Sequence, residues 1–363
     1  MEWLDGFVEE RIKGLQPYEV PDITCRVKLD AHENPYSLPG FVREKIEQAC
    51  SWLEFNRYPD PHARTLRENL SIKLSVLPEM IMMGNGSDEL ILYLLLCFGP
   101  KRVIFPLPTF AMYDILARIT LSTATGIPLN DDFEINDEKI IDEAKKEPSI
   151  IFLSYPNNPT GNCFSRKRIE KIISQTDALV VLDEAYYEFS QETFLPLVHE
   201  CERVVVLRTL SKAFGLAGLR VGYMIAQPQV INEVKKVKLP YNLNAFSQVS
   251  ASIAIENAPL FLPIVQGIMD EQKRISGELS AICGIKVYPS KANFILFKIT
   301  EDICAKDVFN LLIDKGILIR YLGDVPDLNN CLRVTVGRPE ENNEFLWAMK
   351  EIMNKYSGVI RPV

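Results

Sequence analysis

Histidine is scarce in this chain, and the cysteines are spaced too widely to make a metal site. Only His32, His62 and His199 occur, and they are scattered, which argues against a histidine-metal cluster. Cysteines stand at 25, 50, 97, 163, 201, 283, 304 and 331, with no CxxC pair among them. That argues against a zinc site and predicts reduced thiols in a cytosolic compartment, each serving as a small buried hydrophobe. Positive charge is also in deficit: 40 Lys and Arg face 48 Asp and Glu, for a net charge of −8. A nucleic-acid footprint is therefore not expected, and any anionic substrate must be held by local arginines. The longest apolar run, Leu90 to Phe98, is too short to span a bilayer. The acidic start, Met1-Glu2-Trp3-Leu4-Asp5, has no signal-peptide pattern. Together these features predict a cytoplasmic protein without nucleic-acid or membrane partners.

The 363 residues are enough for two domains, and 47% hydrophobic and 24% charged residues are ordinary globular composition. Trp3, Leu4, Phe7, Val8, Ile12 and Leu15 recur at helical spacing and predict an amphipathic helix ending near Gly14 and Pro17. Beyond it the pattern alternates. Short β-rich runs at Val103–Phe105, Ile150–Ser154, Ala178–Leu182, Val204–Leu207 and Val221–Ala226 are interleaved with helical patterns. Those helical patterns cover Asp88–Phe98, Thr109–Ile119, Asp137–Lys146, Ser165–Thr176 and Ser247–Asn257. This alternation predicts an α/β fold, a mainly parallel sheet sandwiched by helices. After about Pro259 the runs Ile285–Tyr288, Phe294–Ile299, Ile317–Arg320 and Cys331–Val336 suggest a smaller α+β unit. The expected division is an N-terminal helix and arm (1–35), a large domain (36–260) and a small C-terminal domain (261–363).

Four motifs sit where strands end, which is where ligands bind in open α/β sheets. In Thr209-Leu210-Ser211-Lys212, followed by Arg220, a lysine lies between hydroxyl residues and an arginine. A lysine that forms a Schiff base with a phosphate-bearing aldehyde needs such surroundings. Lys212 supplies the amine, Thr209 and Ser211 can bond phosphate oxygens, and Arg220 can neutralise them. Gly84-Asn85-Gly86-Ser87-Asp88-Glu89 precedes an apolar helix, so the N–H groups of Ser87 and Asp88 form an anion site, although Asp88 could equally be a plain N-cap. Asn157-Asn158-Pro159-Thr160-Gly161 is either an ordinary turn or a rigid loop aiming Asn158 at a ring substituent. Val180-Val181-Leu182-Asp183-Glu184-Ala185-Tyr186 places a carboxylate at the end of an apolar strand. A buried carboxylate needs a partner; a protonated pyridine nitrogen is one, and Tyr186 could reach that ring's phenolic oxygen. Asp183 as a helix N-cap is the plainer alternative.

On these motifs the chain resembles the fold-type I pyridoxal-phosphate aminotransferases, and among them the histidinol-phosphate aminotransferase family. Leu29-Asp30-Ala31-His32-Glu33-Asn34-Pro35-Tyr36, Asn56-Arg57-Tyr58-Pro59-Asp60, Pro108-Thr109-Phe110-Ala111-Met112-Tyr113 and Leu332-Arg333-Val334-Thr335-Val336-Gly337 extend the resemblance over nearly the whole chain. It implies pyridoxal 5'-phosphate as cofactor, with Lys212 as the lysine that binds it, Asp183 on the ring nitrogen, and Asn158 and Tyr186 on the ring oxygen. Tyr113 would stack on the ring face. Ser87, Asp88, Thr209, Ser211 and Arg220 would hold the phosphate. Tyr58 would reach the neighbouring subunit's cofactor, making the active unit a homodimer. Arg333 and Arg320 would bind the anionic end of the substrate, with Tyr18 and Asn34 helping to form the pocket.

Read from the residues alone, Tyr113 could be a core aromatic, Tyr58 a surface turn residue and Arg320 a solvated strand end. Arg333 alternates with Leu332 and Val334, which suits either solvent or a cleft. Two departures from the family pattern affect the substrate pocket: Glu19-Val20 follows Pro17-Tyr18, and His32 replaces another residue type. The implied substrates are L-histidinol phosphate and 2-oxoglutarate, exchanged in a two-step reaction. Aromatic-amino-acid transamination and threonine-phosphate decarboxylation are alternatives on the same scaffold. A non-catalytic ligand sensor would have no use for intact Lys212, Asp183, Arg220 and Arg333.

Overall fold

The computed structural model describes residues 3, 6–15, 23–301 and 303–356. Its larger sheet has seven strands: β1 (Ile81–Asn85), β2 (Arg102–Leu107), β3 (Thr123–Pro128), β4 (Ser149–Ser154), β5 (Leu179–Asp183), β6 (Val204–Thr209) and β7 (Val221–Ile225). Their order across the sheet is β1-β7-β6-β5-β4-β2-β3. The pairs from β6 to β3 are parallel, whereas β7 is antiparallel to both β6 and β1. Two reversals leave β1 pointing the same way as β6. The carboxyl ends of β1, β2, β4, β5 and β6 therefore share one edge, and the sequence motifs lie along it.

Residues alternate across this sheet with period 2. On β5 and β6, Val180, Leu182, Val204 and Val206 face one apolar cluster. Val181, Val205 and Leu207 face a second, built with Leu90, Leu94, Tyr113 and Leu116 of the covering helices. The strands are thus buried on both faces, which explains why they read as unbroken hydrophobic runs. The helix Ser87–Phe98 starts after Gly86 (φ 83) and stops at Gly99 (φ 47), whose N–H bonds the Leu95 carbonyl. Both glycines occupy left-handed backbone conformations that suit a residue without Cβ.

A 19-residue helix, Leu262–Ser280, precedes the smaller sheet. That sheet comprises β8 (Ile285–Val287), β9 (Phe294–Ile299), β10 (Arg320–Tyr321) and β11 (Cys331–Thr335), in the antiparallel order β10-β11-β9-β8. The single strand expected over Ile317–Arg320 is broken in two. Ile317 and Leu318 pair in parallel with Val27 and Lys28, and only then does the chain cross to β11. The N-terminal arm causes the break: Leu29 N donates to the Leu318 carbonyl at 2.7 Å, and the Leu29 carbonyl accepts from Thr335 N at 2.8 Å.

Two further expectations are corrected. Within residues 6–15 only Glu10–Lys13 is α-helical, and Trp3, Phe7 and Ile12 are exposed; Leu4 lies outside the described residues. Of the eight cysteines only Cys331 is buried; Cys283 and Cys304 are exposed and the other five half-buried, at the margins of packed elements. Among the described residues no single helix is long and apolar enough to cross a membrane, and no cluster of metal-ligating side chains occurs.

Candidate active site

A cavity of about 350 Å³ opens at the carboxyl edge of the large sheet, bounded on its far side by β10, β11 and the arm. Lys212 lies in the connection between β6 and β7. Because those strands are antiparallel, with Thr209 opposite Gly222, the chain must turn back at once, and Lys212 and Arg220 are held at the same edge. Lys212 Nζ donates to the Ala31 carbonyl at 3.2 Å. Burial pushes its ammonium down to about 8, and the positive charges of Arg333 and Arg220 push the same way. A partly neutral amine near physiological pH is a nucleophile and a proton carrier.

Asp183 ends β5 at the cavity wall. Its Oδ2 accepts from the Tyr113 hydroxyl at 2.8 Å and its Oδ1 from Ala185 N at 3.2 Å. Burial raises its carboxyl to about 6; the Tyr113 bond opposes this and the Asp88 charge adds to it. No ion pair to Asp183 occurs among the described residues. A buried carboxylate without a cation is costly, so the position is suited to a cationic ligand atom. Beneath it, Glu184 forms an ion pair with Arg208 at 2.8 Å, both fully enclosed, and Glu184 also accepts from Thr193 Oγ1 and Phe194 N. This pair fastens the ends of β5 and β6 to the loop behind them.

The anion-binding end is built by close backbone approach. Arg220 Nη2 lies 3.2 Å from Asp88 Oδ2, beside the N-terminus of the helix Ser87–Phe98. A Cβ on Gly86 would stand 2.5 Å from the Arg220 guanidinium. A Cβ on Gly222 would stand 2.5 Å from the Gly86 carbonyl carbon and Ser87 N. Gly222 must therefore lack a side chain, and at Gly86 the positive φ of 83 also disfavours one. Thr209 Oγ1 bonds Ser211 Oγ at 2.9 Å, leaving two buried hydroxyls next to the same N-terminus. Helix dipole, hydroxyls and guanidinium together are suited to an anion such as phosphate.

At the opposite wall, Arg320 and Arg333 are direct partners across β10 and β11, so their side chains share one face. Arg333 therefore faces a cleft, not bulk solvent. It donates to Asn158 Oδ1 at 2.6 Å and to the Asp30 carbonyl at 3.0 Å. With Asn158 Oδ1 engaged, its amide N–H groups remain for a ligand.

Most of the expected residues line this cavity: Ser87, Asp88, Asn158, Asp183, Tyr186, Thr209, Ser211, Lys212, Arg220, Arg320 and Arg333. Four do not. Tyr113 is fully buried behind Asp183, stacked on Phe152 with centroids 4.9 Å apart. It cannot lie on a ligand's face, and Phe110 and Ala111 line the cavity in its place. The helical spacing of Tyr113, Leu116 and Ala117, all buried, could have revealed this. Asn34 is likewise spent on backbone, donating to the Ala213 carbonyl and accepting from Tyr36 N, each at 3.0 Å. It holds the lysine loop and does not line the pocket. Tyr58 is exposed and stacked on Tyr241, with centroids 4.5 Å apart, away from this chain's cavity. Tyr18 lies outside the described residues. His32, to which no motif assigns a role, also lines the cavity and bonds Tyr186.

Residues 26–348 match the family model described as aminotransferase class I and II. The chain belongs to that family. It is 40% identical, over 97% of its length and 100% of the relative's, to a histidinol-phosphate aminotransferase from Caldanaerobacter subterraneus subsp. tengcongensis. This aminotransferase is also similar in fold to the Sinorhizobium meliloti histidinol-phosphate aminotransferase solved with pyridoxal-5'-phosphate, at a TM-score of 0.87, 24% identity and coverage of 96% and 98% of the two chains. An L-threonine-O-3-phosphate decarboxylase from Porphyromonas gingivalis superposes at 0.80, with 23% identity and coverage of 90% and 99%. Fold alone therefore does not separate the two reactions; the full-length identity to the first relative carries the distinction.

Proposed function

We propose that this aminotransferase moves an amino group between L-histidinol phosphate and 2-oxoglutarate, giving imidazole acetol phosphate and L-glutamate in histidine biosynthesis. The observation that carries the reading is one cavity with a low-pKa lysine and an unpaired buried carboxylate on one side and two register-paired arginines on the other. The same residues fit pyridoxal 5'-phosphate. Among the described residues Asp183 has no ion pair, and Gly222 lets β7 approach the Gly86–Ser87 backbone so closely that the helix N-terminus and Arg220 converge on one spot. When bound, that cofactor supplies a ring that accepts the electron pair left as the substrate's α-proton departs.

The chain's own residues do the rest. Lys212 Nζ holds the cofactor between turnovers and, once displaced, carries the proton from the substrate α-carbon. Asp183 keeps the ring nitrogen protonated. Asn158 and Tyr186 bond the ring oxygen, and Phe110 takes the stacking place first expected of Tyr113. Ser87, Asp88, Thr209, Ser211 and Arg220 hold the cofactor phosphate. Arg333 and Arg320 hold the substrate phosphate in one half-reaction and a carboxylate in the other, since a guanidinium fits both anions bidentately. Tyr18 belongs to the substrate pocket. The working unit is a cytoplasmic homodimer in which the exposed Tyr58 reaches the partner's cofactor, and residues 1–35, 36–260 and 261–363 form arm, large domain and small domain.

Steady-state assays with L-histidinol phosphate, phenylalanine and threonine phosphate test this reading. The highest kcat/KM is expected for histidinol phosphate, without carbon dioxide release from threonine phosphate. Carbon dioxide release, or a preference for phenylalanine, would reject it.

A further inference from the structure

His32 stands apart from the other two histidines because it is buried at the cavity, 3% exposed. Its backbone is left-handed, φ 57, a conformation in which His, Asn and Asp are enriched. Small-domain residues clamp it on three sides. His32 N donates to Thr335 Oγ1 at 3.0 Å, its carbonyl accepts from Asn293 Nδ2 at 3.1 Å, and its ring stacks on Phe294 with centroids 4.2 Å apart. So fixed, Nδ1 lies 2.7 Å from the Tyr186 hydroxyl. Nε2 is buried and, among the described residues, without a hydrogen-bond partner.

The two nitrogens together constrain the tautomer. Burial disfavours the imidazolium, and the charges of Arg333, Lys212 and Arg320 disfavour it further. A neutral ring carries one proton. Placed on Nε2, that proton would be a buried donor with nothing to bond, and orphaned N–H groups are rarer than orphaned acceptors. Placed on Nδ1, it is donated to the Tyr186 oxygen, and Nε2 is left as an unfilled acceptor. A tyrosine has a single proton to give. If His32 accepted it, Tyr186 could not also donate it to a ligand.

We propose that His32 is a positioning residue that donates Nδ1–H to the Tyr186 oxygen and so does not draw off the Tyr186 proton that the cofactor's ring oxygen would accept. Accepting one hydrogen bond also strengthens the hydroxyl as a donor. This role rests on the proposed cofactor, but the tautomer does not, so the two can fail separately.

The test has two parts. Long-range 15N–1H NMR of the [15N-His] protein, which has only three histidines to assign, should show His32 neutral with its proton on Nδ1. Proton occupancy of Nε2, or an imidazolium at pH 7, would overturn the proposal. In the cofactor-loaded enzyme, the pH titration of the lysine-linked cofactor's absorbance should shift upward in His32→Phe by roughly half a unit, because its ring oxygen loses part of a donated bond. His32→Asn, whose amide N–H occupies the Nδ1 position and which tolerates a positive φ, should restore the wild-type value. A downward or absent shift in His32→Phe, or no restoration by Asn, would overturn the proposal. A wild-type enzyme that shows no lysine-linked cofactor absorbance would instead reject the cofactor reading and leave the NMR result to decide the tautomer.

Discussion

Replacing Asp183 by Asn should stabilise the cofactor-free protein while crippling the loaded enzyme. The carboxyl is buried, and its value of about 6 lies above the 3.8 of an unperturbed aspartate. The folded state therefore binds the Asp183 proton more tightly than the unfolded chain does. Stability from this group is complete below the unfolded value, declines as pH rises between about 4 and 6, and is at its lowest above that window. The difference amounts to about 3 kcal/mol at pH 8. Asparagine carries no charge to desolvate. Its amide oxygen can still accept from Ala185 N, and the Tyr113 hydroxyl can turn to accept from the amide N–H. Thermal unfolding of cofactor-free Asp183→Asn should thus begin a few degrees higher than wild type at pH 8, and the gain should vanish near pH 4. In the loaded enzyme the same change removes the ring nitrogen's partner and should slow single-turnover amino transfer by roughly 100-fold or more. A variant less stable than wild type at pH 8, or one that transfers amino groups at full rate, would refute this reasoning.

Three other outcomes follow from the same geometry. Since burial holds Lys212 near 8, the rate at which pyridoxal phosphate loads the cofactor-free protein should rise with pH and level off above about 8, followed by absorbance; a profile still climbing at pH 10 would contradict it. Gly222→Ala drives a Cβ into the Gly86–Ser87 backbone and should weaken cofactor affinity about tenfold or more in equilibrium dialysis, whereas Gly218→Ala, with nothing within 4 Å, should leave it unchanged. Arg208→Met strands the Glu184 carboxylate and should cost about 3–5 kcal/mol in denaturant unfolding, while the paired change Arg208→Met with Glu184→Leu should recover much of that loss.

Much of the fold was legible because burial on both faces writes β4, β5 and β6 as continuous apolar runs. The two large-sheet strands that went unrecognised lack that signature. β1 is Ile-Met-Met-Gly-Asn, poor in β-branched residues, and β3 is a polar edge strand, Thr-Ala-Thr-Gly-Ile-Pro. Nor does local pattern reveal that Val27 and Lys28 pair with Ile317 and Leu318, since that contact depends on where the arm crosses the small sheet. The lysine and aspartate of the site were readable because strand ends place them. Phe110 and Tyr113 were confused because both aromatics stand in one motif, and only the helix phase assigns Tyr113 to the core. His32 stands out locally only as a departure from the family pattern; its role depends on Tyr186, 154 residues away.

The most direct measurement mixes the cofactor-loaded protein with L-histidinol phosphate in the absence of a keto acid and follows the cofactor's absorbance by stopped flow. The expected result is conversion to the amine form of the cofactor, reversed on adding 2-oxoglutarate. An unchanged spectrum would contradict the assignment of substrate, and a protein with no lysine-linked cofactor absorbance would contradict the role of Lys212.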